Sequence, residues 1–127
     1  MDLRNTTGHI VDAAMKVHSA LGPGLLESAY QVCVMHELRK RRLVVLPEVP
    51  LPIVYDGVTV DSAFRIDLLV EGAVVVELKA VTKVLPLHEA QLLSYLKLSG
   101  YPVGLLINFH VNHLKNGITR MVNRHKE

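Results

Sequence analysis

Between Phe64 and Val81 the chain reads F-R-I-D-L-L-V-E-G-A-V-V-V-E-L-K-A-V, and into this apolar stretch it sets three charged side chains, Asp67, Glu77 and Lys79. Burying charge without a partner costs several kcal/mol, so the three either meet at a wet cleft or hold something. Two carboxylates and an ammonium suit a hard divalent cation and a phosphate. Mg²⁺ takes oxygen ligands and keeps several waters, so Asp67, Glu77 and the carbonyl of Leu78 are candidate ligands. The ion, Mg²⁺ or Mn²⁺, would acidify a water and offset charge on phosphorus, while Lys79 holds the attacking water or the phosphoryl oxygens. A Glu-x-Lys pair also describes a solvated strand face with a cross-strand ion pair, and the residues alone leave both readings open.

Whether the three converge depends on register. Glu71-Gly72 is a turn signal between two β-branched runs, so the stretch reads as a β-hairpin. Side chains alternate along a strand, which puts Glu77 and Lys79 on one face and Val76, Leu78 and Ala80 on the other. Asp67 joins them only if it lies opposite Glu77. A two-residue loop at Glu71-Gly72 would set Asp67 opposite Val76 instead. The spacing therefore predicts a three-residue connection, Glu71 to Ala73, with Gly72 left-handed, or an equivalent bulge.

The flanking elements follow from periodicity and breakers. Asn5, Thr6 and Thr7 offer a helix cap ahead of Ile10, Ala13, Ala14, Val17 and Leu21 at helical spacing, with Asp12 and Lys16 as an i,i+4 pair. Gly22-Pro23-Gly24 ends that helix; His18, near the break, could reach a neighbouring site or stand on the surface. A second helix is expected from Leu25 to Arg41, with Leu26, Ala29, Tyr30, Cys33 and Leu38 on its apolar face. Glu27 lies in its first turn, beside the glycine-rich break, where the helix dipole alone already favours an acid. Residues 43–60 read as an edge or bulged strand around three prolines, and Asp56-Gly57 as a tight hairpin turn. Pro86 opens a third helix that Gly100 closes. On it His88, Gln91 and Tyr95 share a polar face, able to bind phosphates or a water on the metal, or else a plain solvent-facing stripe, while Leu92, Leu93 and Leu96 turn inward. Val103 to Phe109 is continuously apolar, as a strand buried on both faces and parallel to its neighbour would be. Asn116-Gly117 turns into a last short strand, I-T-R-M-V. His110 and His113 lack further ligands at a spacing that zinc would use. The expected class is α/β, a mixed central sheet flanked by helices in the order α-α-β-β-β-α-β-β.

Composition bounds the rest. The 127 residues suffice for one domain, residues 1–127. Half are hydrophobic, yet no run approaches a membrane span and the amino end has no secretory pattern, so no membrane partner and a cytoplasmic location are expected. One cysteine, Cys33, sits among apolar residues as a buried, inert thiol. Net charge is only +2, so global attraction to nucleic acid is weak. The basic run Arg39 to Arg42, and Lys115, Arg120, Arg124 and Lys126, read either as a phosphate-binding rim or as ordinary solvated ends. With 20% charged residues and few aromatics, a second subunit is expected to cover part of the apolar surface, making a homo-oligomer.

Taken together, the motifs resemble those of the PD-(D/E)XK phosphodiesterase superfamily, in particular the small GxxExxY proteins. Gly24-Leu25-Leu26-Glu27-Ser28-Ala29-Tyr30 matches the eponymous motif, and Asp67 followed by Glu77-Leu78-Lys79 is similar to the central signature. Gln91-x-x-x-Tyr95 resembles the extra motif of the RecB-like and λ-exonuclease-like branch. Ile66 stands where many members carry a proline. The resemblance spans about Ile10 to Val122 and implies a restriction-endonuclease-like core. It implies Asp67 and Glu77 as metal ligands, Lys79 as the catalytic lysine, Glu27 as a metal-linked acid, and Gln91 and Tyr95 lining the site. The expected function is Mg²⁺- or Mn²⁺-dependent hydrolysis of a phosphodiester in nucleic acid, DNA before RNA. The alternative is a catalytically silent nucleic-acid- or protein-binding subunit on the same fold; a structural scaffold is a third.

Overall fold

Two runs, Val74–Lys79 and Val103–Asn108, are apolar almost throughout, and strands of that kind persist only with both faces covered. In the computed structural model, which describes residues 3–123, they are the parallel centre of a five-stranded sheet. The elements are α1 (Leu3–Leu21), α2 (Glu27–Lys40), β1 (Val45–Tyr55), β2 (Val58–Val70), β3 (Val74–Lys79), α3 (Pro86–Ser99), β4 (Val103–Asn108), a 3₁₀ turn (Leu114–Gly117) and β5 (Ile118–Val122). The order is the one expected. Strands lie in sequence order, β1 to β5, and every pair is antiparallel except β3–β4, which α3 connects.

Alternation along β3 divides the core. Val74, Val76 and Leu78 pack with Ile10, Ala13, Val17, Tyr30, Val34 and Leu38 of α1 and α2. Val75 faces the other way, onto Leu92, Tyr95 and Leu96 of α3 with Ile66, Leu69 and Leu106. Helix α3 lies close on β4 at Gly104, where a Cβ would meet the Leu92 side chain at 2.9 Å. β1 is the sheet's edge, with a register shift between Leu51 and Ile53, as its prolines require. Asp56 and Gly57, both at positive φ, form the two-residue turn into β2.

Several local expectations are corrected. Helix α1 already runs at Leu3, so Asn5 and Thr6 do not cap it, and the buried Thr7 hydroxyl bonds the Arg4 carbonyl at 3.1 Å. Asp12 and Lys16 do not pair with each other: Lys16 reaches Glu37 at 3.0 Å and Asp12 faces Arg41 at 3.9 Å, because α2 packs alongside and offers closer partners. Helix α2 begins at Glu27, leaving Leu26 as an exposed cap residue rather than part of the apolar face, and Cys33 is half-buried. Leu21 and Leu93 are exposed. His18 is buried and its Nε2 contacts the Val111 carbonyl at 2.8 Å, tying α1 to the loop after β4. Much of the basic run is used inside the fold: Arg39 bonds the Val45 carbonyl and Arg41 the His9 carbonyl. Arg124 and Lys126 lie outside the described residues.

Candidate active site

The β2–β3 hairpin has the register on which convergence depends. Val70 pairs with Val74, Leu69 with Val75 and Leu68 with Val76, so three residues, Glu71 to Ala73, make the connection. Gly72 is left-handed (φ 62°), and so is Glu71 (φ 54°). A non-glycine residue there is strained, and the compensation is visible. Glu71 N–H donates to the Val44 carbonyl at 2.8 Å, and its carboxylate accepts the Val44 N–H at 2.6 Å.

One step beyond Leu68 and Val76, the same register sets Asp67 opposite Glu77, and there side chains take over from the ladder. Asp67 N–H donates to Glu77 Oε1 at 3.3 Å, and Leu78 N–H donates to Asp67 Oδ2 at 2.9 Å. The two acids are interlocked through each other's strands. Glu77 is only 4% exposed, on the face that α3 covers. Burial first, and the charge of Asp67 second, push its carboxyl up to about 9. Asp67 is also raised, chiefly by burial, against the pull of the Leu78 N–H and of Lys79. The Lys79 ammonium lowers both acids, so the lysine is close enough to share their field. Tyr95 is buried too, pushed up to about 12 by burial and then by Glu77 and Asp67, with its ring edge-on to Phe64 at 4.8 Å.

The other candidates stand further out. Gln91 is exposed and His88 half-buried. His88 Nδ1 accepts the Leu85 N–H at 3.0 Å and closes the amino end of α3, which leaves Nε2 as the ring atom available to a ligand. Glu27, at the first position of α2, is exposed, and among the described residues no three His, Cys, Asp or Glu side chains lie near enough to chelate one ion. The structure thus joins Asp67, Glu77, Lys79 and Tyr95 and leaves Glu27 apart. It does not leave it unrelated: Gln31, four residues on and so on the same helical face, donates to the Asp67 carbonyl at 3.3 Å and to Glu48 at 3.0 Å.

Tyr30 is buried on the apolar face of α2 as expected, but its hydroxyl's role, and the supporting parts of Asn108 and Gln31, escaped the sequence reading. Tyr30 is fully buried, stacks on Phe109 at 4.3 Å, donates its hydroxyl to the Gly22 carbonyl and accepts the Leu25 N–H at 3.1 Å. It latches the glycine-rich turn that delivers Glu27. Asn108, buried at the end of β4, accepts the Val81 N–H at 3.1 Å and donates to the Val81 carbonyl at 2.9 Å. With the Phe109 N–H bonded to the Lys79 carbonyl at 2.8 Å, this clamp fixes the chain that leaves Lys79. The available signal was an asparagine closing an otherwise apolar strand. Gln31 carried none.

The donor set fits a hard divalent ion. Glu77 is buried and Asp67 half-buried, their carboxyls hydrogen-bond each other, and two acids held so close gain from a cation. Hard oxygens, with no cysteine or histidine grouped with them among the described residues, suit Mg²⁺ or Mn²⁺ better than zinc.

A mixed sheet in which an antiparallel hairpin runs into a parallel β-α-β unit, with paired acids and a lysine on the shared strand, defines a restriction-endonuclease-like domain. The chain belongs to the PD-(D/E)XK nuclease superfamily, whose profile matches residues 4–121. No curated protein and no solved structure matches it.

Proposed function

We propose that the protein is a metal-dependent nuclease of the GxxExxY group, hydrolysing a phosphodiester in nucleic acid, DNA by preference. The observation that supports this most is the interlocked Asp67–Glu77 pair beside Lys79: a buried acid raised to about 9 is a poor structural choice and a good ion site. The carboxylates of Asp67 and Glu77 and the Leu78 carbonyl would hold Mg²⁺ or Mn²⁺. Leu78 sends its N–H toward Asp67, and a strand residue's carbonyl leaves on the same edge as its N–H. When bound, the ion supplies an acidified water and offsets the charge that builds on phosphorus. Lys79 orients the phosphoryl oxygens. Tyr95, kept protonated by its neighbours, donates a hydrogen bond, and Gln91 and His88 extend that wall toward the substrate. Glu27 acts through solvent, from the helical face that Gln31 anchors.

In an assay with single-stranded, duplex and branched DNA and with RNA, each with Mg²⁺ or Mn²⁺, Asp67→Ala and Lys79→Ala are expected to reduce cleavage at least about a hundredfold. Cleavage that survives both substitutions belongs to a contaminant and removes the support for the site. One observation favours a second reading, a silent binding subunit. Glu27 is exposed and apart from the two acids. That reading predicts affinity for nucleic acid or a protein without turnover under either metal. A cytoplasmic location and a homo-oligomer covering exposed apolar residues such as Leu26, Val32 and Tyr55 complete the proposal.

A further inference from the structure

Row by row, the sheet carries the candidate site toward a second polar hollow. Glu77 pairs with Leu106 on β4, and Leu106 with Thr119 on β5. Cross-strand partners share a face, and Leu106 packs against α3, so Glu77 and Thr119 lie on the α3 side, two strands or roughly 10 Å apart. At that end of the sheet Thr82, Lys83, Val84, Glu89, Asn116 and Thr119 surround a hollow of about 230 Å³. Its floor is the Asn108 clamp that holds the chain leaving Lys79. Among the described residues the side chains of Thr82, Lys83, Glu89, Asn116 and Thr119 make no hydrogen bond and no ion pair.

Five polar residues whose side chains lack partners line one concavity next to the proposed reaction centre, and this calls for a polar ligand. An inorganic anion is a poor match, because Glu89 faces the same space as Lys83. A nucleobase edge offers both acceptors for an ammonium, amide or hydroxyl and donors for a carboxylate. The volume lies below the roughly 300 Å³ at which pockets for drug-sized ligands begin. It has room for one base and none for a base pair, and Val84 supplies an apolar wall.

The geometry points to this hollow as the seat of one unpaired base, that of a nucleotide adjoining the scissile phosphate, so that the substrate is single-stranded nucleic acid or a frayed end rather than intact duplex. This rests on the nuclease reading above and assigns its substrate class. A duplex would first have to give up a pair, at a few kcal/mol.

Fluorescence anisotropy on the full chain, without divalent ion so that nothing is cut, tests it with a labelled single-stranded DNA, the same sequence as RNA, and a blunt duplex. Binding to the better of the two single strands should exceed binding to the duplex by about tenfold or more. Lys83→Ala and Asn116→Ala should each weaken it about three- to tenfold while leaving duplex binding, the melting temperature and Mn²⁺ uptake unchanged; both side chains are exposed, so the fold survives. Equal affinity for duplex and single strand overturns the inference, as does single-strand binding that neither substitution alters. The DNA and RNA arms separate the two sources of an unpaired base. Absence of Mn²⁺ uptake by the unsubstituted protein would sink the catalytic reading and leave the hollow's own result standing, so the two fail separately.

Discussion

Glu77 is a buried acid whose proton affinity differs between the folded and unfolded chain. Its carboxyl ionises near 9 in the folded protein against an ordinary value of 4.5, so over that interval the metal-free folded state keeps a proton that the unfolded state has lost. Stability from this group therefore falls as pH rises from about 4.5 to about 9, and is level beyond. Asp67, also raised, adds to the same slope. Thermal melts of the metal-free protein should show a decline across this range that Glu77→Gln flattens; a parallel decline in the variant would contradict the assignment. Tyr30 belongs to the same scale. Its hydroxyl satisfies the Gly22 carbonyl and the Leu25 N–H, so Tyr30→Phe should cost roughly 1–3 kcal/mol in urea unfolding. Asp67, Glu77 and Lys79 were legible in sequence because charge inside a β-branched run is conspicuous. The hydrogen bonds of Tyr30 and Asn108 were not, because their partners are backbone groups, which leave no mark in residue type.

At the scale of elements, the β2–β3 turn decides whether there is a site. The three-residue connection with Gly72 left-handed was readable from parity alone, since one residue fewer would have turned Asp67 away. The left-handed Glu71 was not, because its compensation comes from Val44, 27 residues earlier. The first helix shows the opposite limit: Asn5 and Thr6 look like caps, but nothing in their types reveals that the helix already runs at Leu3. The Asp12–Lys16 spacing is helical, yet α2 supplied nearer partners. Two substitutions probe the supports of the site. Gly104→Ala should destabilise the protein by about 1–3 kcal/mol, because the new methyl meets Leu92 and pushes α3 off β4; unfolding midpoints measure it. At Gly117 a Cβ would run into the Asn108 backbone carbonyl, so Gly117→Ala should disturb the clamp and lower cleavage along with stability, read by pairing the melt with the nuclease assay.

Seen whole, the molecule puts two helices on one face of its sheet and one on the other, and the acids sit under the thinner cover. No helix among the described residues is long and apolar enough to cross a membrane. The fold order was legible throughout because hydrophobic period and glycine-proline breaks specify it. The placement of Glu27 was not, because a first-turn acid is favoured by the helix dipole whether or not it serves a site. The account stands on Asp67 and Glu77 together holding a divalent ion. Isothermal titration of the protein with Mn²⁺ near pH 7, in two buffers of different ionisation enthalpy, tests this directly. The predicted result is one saturable site that releases about one proton per ion, because Glu77 must ionise to bind, and that Glu77→Gln or Asp67→Asn abolishes. Absence of binding to the unsubstituted protein, or binding of the same strength and proton count in both variants, would contradict it.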